Sequence, residues 1–283
     1  MGRIKTVDIM TNISSILSIA KYELIISNIR YPFRVLTRFI GPIIWVVPFL
    51  LFGKAVLGGN DSQTLYELTG ISHMPTFVLV GSIVTAVSFN ILWLLSYAIR
   101  LESFRGTFES IYACPIKKWV FFLGKLLASM VWSSFYIIGL IILGWLLLDV
   151  QFHWEMFPQF IIITLLLFFA MCGYGLVIAG VMLKYKEGHT VAHFIDGLFT
   201  LIIPMAYPLA VLPVWLQKAS LALPMTQAVL ASRDMLIFGN PLGAQLAHIS
   251  ILLLYALLAL PLGYAFYMYM EKKAKLAGTL HKY

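Results

Sequence analysis

The chain has 283 residues, of which 61% are hydrophobic and only 11% are charged. Soluble domains carry about 25% charged residues, so this composition excludes an ordinary soluble protein, and a disordered chain would lack the apolar fraction. The net charge of +8 would favour a nucleic-acid partner in a soluble protein. In a membrane protein the basic residues instead mark the cytosolic ends of spans, so we expect no nucleic-acid partner.

The first 38 residues predict a helix that lies in the cytosolic membrane interface. Basic residues suit contact with lipid head groups, and they occur here at Lys21, Arg30, Arg34 and Arg38. Apolar residues recur over residues 9–30 at spacings of three and four, which is typical of one helix face. These apolar residues are Ile9, Ile13, Ile16, Leu17, Ala20 and Leu24. A disordered leader is the alternative for this segment.

Six membrane crossings are expected, because a helix needs about 20 apolar residues to span the bilayer. Residues 197–231 are also apolar but contain four prolines, which end or kink helices. We assign to this region a fifth span, Phe194–Val211, followed by a re-entrant or interfacial hairpin of short helices on the outer side, residues 212–232. The other spans are Phe39–Leu57, Pro75–Ile99, Phe121–Leu148, Phe157–Leu183 and Leu246–Met270.

The distribution of positive charge sets the orientation. With six crossings, 17 of the 20 lysines and arginines lie on the cytosolic side; a seventh crossing would move Lys272, Lys273 and Lys275 outside. The positive-inside bias therefore favours two cytosolic termini. The expected fold is an all-α integral membrane protein, with one transmembrane domain over residues 39–270 and a basic cytosolic tail over residues 271–283.

The loop of residues 100–118 predicts a short amphipathic helix in the cytosol. Its apolar face comprises Leu101, Phe104, Phe108 and Ile111, and its polar face comprises Glu102, Arg105, Gly106 and Glu109. Pro115 ends the helix. Such a helix, which carries both signs of charge, is suited to a soluble partner, and a solvated connector is the alternative.

No motif in the chain supplies an energy source or a catalytic centre. The sequence contains no G-x-x-x-x-G-K-[ST] loop and no H-E-x-x-H pair, and no local pattern builds a catalytic triad. We expect no catalytic residue, metal or cofactor on this chain. The acids lie at the edges of the predicted spans, with Asp196 at the inner edge of the fifth, and Lys125 can extend from the third span to the interface. Without an acid relay inside the spans, we expect the energy for transport to come from elsewhere.

Two segments resemble the permease subunit of type-2 ATP-binding-cassette (ABC) exporters. The cytosolic loop of that family is matched by Glu102, Gly106–Thr107, Phe108–Glu109, Cys114–Pro115 and Gly124–Lys125, although serine is usual at the position of Cys114. The outer hairpin of the family is matched by Tyr207–Pro208, Leu212–Pro213, Trp215–Leu216, Pro224–Thr226 and Arg233, although asparagine is frequent at the position of Leu223. The order of elements agrees along nearly the whole chain.

The resemblance implies a permease that works as a dimer, with a second and identical copy, above two copies of a cytosolic ATPase subunit. ATP and magnesium would bind to that ATPase and not to this chain. The loop would hold the coupling helix, and the residues implied in coupling are Glu102, Arg105, Gly106, Thr107, Glu109 and Pro115. The outer hairpin would include Tyr207, Pro208, Pro213, Trp215, Pro224 and Arg233. The setting implied is the plasma membrane of a prokaryote.

The resemblance also implies a transport path between the two copies, lined by the first, second and fifth spans. These spans offer Trp45, Phe49, Phe89, Asn90, Trp93, Phe199 and Thr200. Aromatic and hydroxyl groups without a fixed charge suit export of an amphipathic, lipid-like or lipid-linked substrate, such as a drug, a lipid or a glycan-lipid. The same aromatics would also suit contact with lipid or packing between helices. The alternative functions are an ATP-independent secondary transporter or channel, and a structural membrane anchor.

Overall fold

The computed structural model describes residues 9–57, 59–114, 116–185 and 188–276, and 86% of these residues are helical. The extended pairing in these ranges is limited to an isolated bridge between Asp61 and His73. Residues Tyr22–Ile29 continue the first helix as a π-helix. The helices are α1 (Ile9–Lys21), α2 (Pro32–Leu57), α3 (Gln63–Thr69), α4 (Met74–Phe104), α5 (Phe108–Ala113), α6 (Lys118–Leu147), α7 (Phe157–Lys184), α8 (Gly188–Ile202), α9 (Val214–Leu221), α10 (Pro224–Phe238) and α11 (Leu246–Leu276).

Five of these helices, α2, α4, α6, α7 and α11, are long and apolar enough to cross a membrane. They occupy the positions of the five long apolar stretches predicted from the sequence. All five extend beyond a predicted bound, three of them by five residues or more: α2 begins at Pro32 and not at Phe39, α4 continues past Ile99 to Phe104, and α11 continues past Met270 to Leu276. The added turns carry arginine and glutamate, which continue a helix readily although they do not belong to an apolar span.

The predicted bounds of the fifth span, Phe194–Val211, are wrong. The helix in this region, α8, begins at Gly188 and ends at Ile202, so it is displaced toward the N-terminus and is about 22 Å long at 1.5 Å per residue. It stops ahead of Pro204, because proline lacks the N–H that would continue the helix. The chain then passes through a 3₁₀ turn at Leu209–Val211 into α9 and α10, two short helices in the region of the predicted hairpin.

The loop after α4 is not one continuous amphipathic helix, and that prediction is also wrong. Gly106 has a φ of +70°, a left-handed conformation that glycine adopts without strain. The N–H of Thr107 donates to the carbonyl of Glu102 at 3.0 Å, which closes α4 with the hydrogen bond of a Schellman motif. The short helix α5 starts only after this break, so Glu102 belongs to α4 and not, as predicted from the sequence, to the helix of the loop.

The backbones of α7 and α11 pack in direct contact at glycine residues. A Cβ atom on Gly173 would lie 2.2 Å from the carbonyl oxygen of Ala259, and one on Gly263 would lie 2.4 Å from that of Gly173. Further along, Gly180 faces the backbone of Tyr267. Small residues allow this close approach, which supplies the packing that holds helices together in lipid.

Side-chain contacts define two ends of the bundle. At the first, the Lys125 end, Glu23, Glu102 and Lys125 meet, and Lys118 at the start of α6 pairs with Glu271 near the end of α11. At the opposite end, the Arg233 end, α10 contacts the first turn of α4 and the segment after α8. The chain therefore passes from the Lys125 end to the Arg233 end along α8.

Candidate functional site

The centre of the Lys125 end is a cluster of four charged side chains from three segments. The ammonium of Lys125 on α6 lies 2.6 Å from Glu23 Oε2 in the π-helix and 2.5 Å from Glu102 Oε1 on α4. Only 3% of the Lys125 side chain is exposed. Arg105 completes the cluster at 3.1 Å from Glu102 and 3.4 Å from Glu23. The expectation that Lys125 extends to the membrane interface is therefore wrong, because its ammonium is bound inside the protein.

The cluster is joined directly to the loop that precedes α5. The hydroxyl of Thr107 donates to Glu102 Oε2 at 2.6 Å, so one carboxylate binds Lys125, Arg105 and Thr107. Because Gly106 turns the chain between Arg105 and Thr107, both side chains reach the same carboxylate. A displacement of this loop would therefore act on α4, α6 and the segment after α1 together.

The predicted coupling residues lie in different surroundings. Glu102 is buried and binds groups of its own chain, so it is not placed to contact a partner directly. Arg105 and Thr107 are half-buried, and Gly106 is exposed. The backbone of Glu109 lies in α5, but its side chain is outside the described residues, as is all of Pro115.

Glu23 was not singled out from the sequence, although a signal was present. A lysine one to two turns into a span needs a nearby anion if it is buried, and Glu23 is an acid in the amphipathic first segment. The structure turns Asn12, Ala20 and Glu23 inward, whereas Ile13 and Leu17 of the predicted apolar face are exposed. The predicted face of α1 is therefore only partly the packed one.

The cluster also controls the acidity of its members. Burial raises the pKa of Glu23, but the charges and hydrogen bonds of Lys125 and Arg105 outweigh burial and bring the pKa below its usual value. Burial lowers the pKa of Arg105, and the neighbouring Glu23 and Glu102 more than compensate, so the pKa is raised. The charged forms are thus favoured at neutral pH.

Acidification is expected to remove the stabilisation that Glu23 provides. Because its folded pKa lies below the usual value of 4.5, the contribution is complete above that value and is lost as the pH falls through the folded pKa. Thermal unfolding of the purified chain, followed from about pH 6 to about pH 3, measures this loss. The Glu23→Gln variant should show a shallower dependence, and an equally steep one would contradict the assignment.

A groove lies on one side of the bundle between α2, α4 and α8. It has a volume of about 460 Å³ and continues toward the Lys125 end as a second cavity of about 450 Å³, bordered by Glu23, Arg38 and Lys125. The groove is lined by Thr37, Gly41, Pro42, Trp45, Ala86, Phe89, Asn90, Trp93, Tyr136, Asp196 and Thr200. A site of this size, with an aromatic wall and a few polar groups, has the character of a small-molecule site.

Five of the seven predicted path residues meet in this groove: Trp45, Phe89, Asn90, Trp93 and Thr200. The other two do not line it, since Phe49 packs edge-on against Trp45 and Phe199 packs edge-on against Tyr174. The amide of Asn90 donates to Ser133 at 2.8 Å and is therefore tied to α6.

The groove contains an acid that was not among the predicted path residues. Asp196 lines the groove and accepts a hydrogen bond of 3.3 Å from Trp93 Nε1. The sequence placed this acid at the inner edge of the fifth span, but α8 begins eight residues before it. Asp196 therefore lies about 12 Å from the start of α8, at 1.5 Å per residue, and not at the end of the helix.

Arg233 connects α10 to the rest of the bundle at the Arg233 end. It is buried, and its guanidinium donates to the carbonyl of Phe77 at 3.1 Å and to that of Met205 at 2.6 Å. The guanidinium also lies over the ring of Phe77. A Cβ on Gly81 would meet both Met205 and Arg233, so a glycine is needed where these groups approach α4.

The other predicted hairpin residues shape the turns between α8 and α10. Tyr207 donates to the carbonyl of Leu201, and Pro208 precedes the 3₁₀ turn. Pro213 caps α9, and Pro224 is the buried first residue of α10, a position that proline favours. Trp215 is 70% exposed and projects outward.

Replacement of Arg233 by methionine is expected to loosen this end. The variant loses hydrogen bonds from a charged donor, each of which contributes about 1.5–3 kcal/mol, so we expect a loss of about 3 kcal/mol in the free energy of unfolding. Chemical unfolding and limited proteolysis between α8 and α10 measure the effect. Lys218→Met, at an exposed position of α9, is the control; equal stability of the two variants would exclude this role.

Within the described residues, no three His, Cys, Asp or Glu side chains come together in a way that could hold a metal ion. Comparison with curated proteins gave no match. A family model described as ABC-2 type transporter matches residues 15–237, a range that includes the ion cluster, the groove, α9 and nearly all of α10. The chain therefore belongs to the ABC-2 type transporter family.

Proposed function

We propose that the chain is the permease subunit of an ATP-driven ABC exporter, paired with an identical copy and powered by two copies of a separate cytosolic ATPase that binds ATP and magnesium. Membership of the ABC-2 family and five helices fit to cross a membrane support a multi-pass permease. The dimer, the direction of transport and the amphipathic, lipid-like or lipid-linked cargo are parts of the proposal.

The observation that carries the proposal is the bond between the loop and the bundle. An ATPase that pushes on residues 105–114 would act on Thr107 and Arg105, both of which bind the buried carboxylate of Glu102. That carboxylate binds Lys125 of α6, which also holds Glu23. The loop therefore has a direct charged link to three segments, as rigid-body switching of a transporter requires.

We propose six crossings with both termini in the cytosol. The pairing of Lys118 with Glu271 brings the end of α11 beside the start of α6, which supports one side for the Lys125 end and the C-terminal tail. The passage of α8 between the two ends supports it as the fifth of six crossings, although α8 is short for a full span. In this topology α9 and α10 lie at the outer surface, in the plasma membrane of a prokaryotic cell.

The coupling role is tested by substitution of Gly106. A β-branched residue in the left-handed region is strained by about 2 kcal/mol, whereas asparagine tolerates that conformation. A Cβ at this position meets no atom within 4 Å, so a packing clash does not intervene. Gly106→Val is expected to reduce ATP-driven transport about tenfold at an unchanged level of folded protein.

Gly106→Asn is the matched control and should keep most of the transport activity. Both variants are measured in the complex with the ATPase, by substrate export and by ATP hydrolysis. Full transport by Gly106→Val, or an equal loss in both variants, would contradict a coupling role for this turn.

One observation favours a competing function, namely ion-driven transport by this chain alone. Asp196 lies within α8, one turn after His193, and the ring centres of His193 and Trp93 are 4.6 Å apart. Acids within membrane helices often serve as ion relays. Flux in proteoliposomes that contain only this chain, driven by a proton or sodium gradient, would favour this function over the ATP-driven one.

A further inference from the structure

The carboxylate of Asp196 is the unusual feature of the groove. It lies about 12 Å from the start of α8 at 1.5 Å per residue, in a helix whose other residues from Thr190 to Ile202 form an apolar segment with no second acid. A charged side chain at membrane depth is costly and is by default a sign of function. The groove-lining position of Asp196 makes it accessible to a bound molecule.

The protein satisfies this carboxylate only in part. Among the described residues it accepts one side-chain hydrogen bond, from Trp93 Nε1 at 3.3 Å, although a carboxylate can accept about four. No described lysine or arginine forms an ion pair with it. The nearest titratable partner is His193, one turn earlier on α8. A negative charge with this remaining capacity suits a positively charged ligand.

The wall around Asp196 is aromatic. Trp45, Phe89, Trp93 and Tyr136 all line the groove, and Trp45 meets Phe89 edge-on with 6.4 Å between ring centres. Aromatic faces carry negative quadrupole potential and attract organic cations, most of all when water is excluded. Of the described residues that line the groove, Asp196 is the only one that is an Asp, Glu, Lys or Arg.

Two positive side chains, Arg38 and Lys125, border the adjoining cavity and interact with other groups. Arg38 borders the adjoining cavity, where its guanidinium lies 4.7 Å from the ring centre of Trp132. Lys125, which borders the same cavity, is bound by Glu23 and Glu102. Neither cation is among the residues that line the groove beside Asp196, although Arg38 interacts with Tyr136, which borders both cavities.

We propose that this groove binds an amphipathic organic cation, with Asp196 as the counter-charge and the aromatic side chains as the wall for its apolar part. The inference rests on the proposed function, since it names the substrate class of that path. Asp196 is the residue that determines the preference for positive charge, while Trp45, Phe89 and Trp93 accept hydrophobic bodies of varied shape.

The proposal is tested with two probes of the same shape and opposite charge. Tetraphenylphosphonium and tetraphenylborate are titrated into the full-length purified chain, and binding is measured by calorimetry in the absence of any ATPase. The variants are Asp196→Asn, which removes the charge, and Asp196→Glu, which keeps it. Asp149→Asn is the control, because Asp149 is an exposed acid with a φ of +50°, a conformation that asparagine also tolerates.

Wild-type protein and Asp149→Asn should bind tetraphenylphosphonium at least about tenfold more tightly than tetraphenylborate. Asp196→Asn should lose about tenfold in cation affinity without a matching loss for the anion, and Asp196→Glu should regain part of it. Equal affinity of the wild-type protein for the two probes would overturn the proposal, and this result needs no variant to fold. Unchanged cation affinity in folded Asp196→Asn would overturn it as well.

Failure of this proposal is distinguishable from failure of the proposed function. Because binding is measured without the ATPase, a charge preference that depends on Asp196 would support the cation site even if ATP did not drive transport. Conversely, the chain could export neutral molecules with ATP and yet bind the two probes equally well. That result would support the proposed exporter function and exclude the cation site.

Discussion

Replacement of Lys125 by methionine is expected to be the most damaging single change at the Lys125 end. The ammonium is the common partner of Glu23 and Glu102, and its removal leaves two buried carboxylates of like charge that share Arg105 as a remaining cation. Breaking a buried ion pair from one side costs about 3–5 kcal/mol. We therefore expect a loss of that size in the free energy of unfolding, together with loss of ATP-driven transport.

The measurement is chemical unfolding of the purified chain at neutral and acidic pH. The penalty should shrink when the carboxylates become protonated, because neutral carboxyls no longer need the ammonium. Lys54→Met, which removes an exposed lysine at the end of α2, is the matched control and should be close to wild type. A Lys125→Met chain as stable as the control at neutral pH would refute the role of the cluster.

Replacement of Gly173 by leucine is expected to separate α7 from α11. Even the Cβ would lie 2.2 Å from the carbonyl oxygen and 2.6 Å from the Cβ of Ala259, and a helix backbone cannot move aside as a flexible side chain can. Overpacking of a close-packed core costs about 1–3 kcal/mol and sometimes more; with two backbones in contact we expect about 3 kcal/mol or more.

Thermal unfolding and the yield of monodisperse protein measure this effect. Gly197→Leu is the control, because a Cβ at Gly197, on the exposed side of α8, meets no atom within 4 Å. That variant should be at least as stable as wild type, since leucine is a better helix former than glycine. If Gly173→Leu unfolded at the same temperature as Gly197→Leu, the close contact of α7 and α11 would not be essential.

Much of the fold could be predicted because span length and apolar character are local properties. The five long helices follow directly from runs of about 20 apolar residues. The stretch of residues 197–231 was harder, because α8 takes its first turns from polar residues ahead of the apolar run. The predicted span was carried past Pro204 and Pro208 to Val211, although α8 ends at Ile202, so both ends of this helix were predicted wrongly.

The ion cluster could not be predicted because it depends on contacts between distant segments. From its position alone, Lys125 was expected to extend to the interface. Glu23 comes within reach of it because α1 packs closely against α6 at Gly124, where an added Cβ would lie 2.6 Å from Ile19. The groove was better predicted, since five of its residues follow from the spans that the family resemblance implies. Asp196 was not predicted to line the groove, because the start of α8 was placed too far along the chain.

The most direct test of the central claim is transport by the chain reconstituted in proteoliposomes, with and without its ATPase. The movement of a lipophilic cation across the vesicle membrane is measured under three conditions. These are ATP, a non-hydrolysable ATP analogue, and an ion gradient in place of ATP. The account predicts movement against a concentration gradient only when the ATPase and hydrolysable ATP are both present. Uphill movement by the chain alone would contradict it.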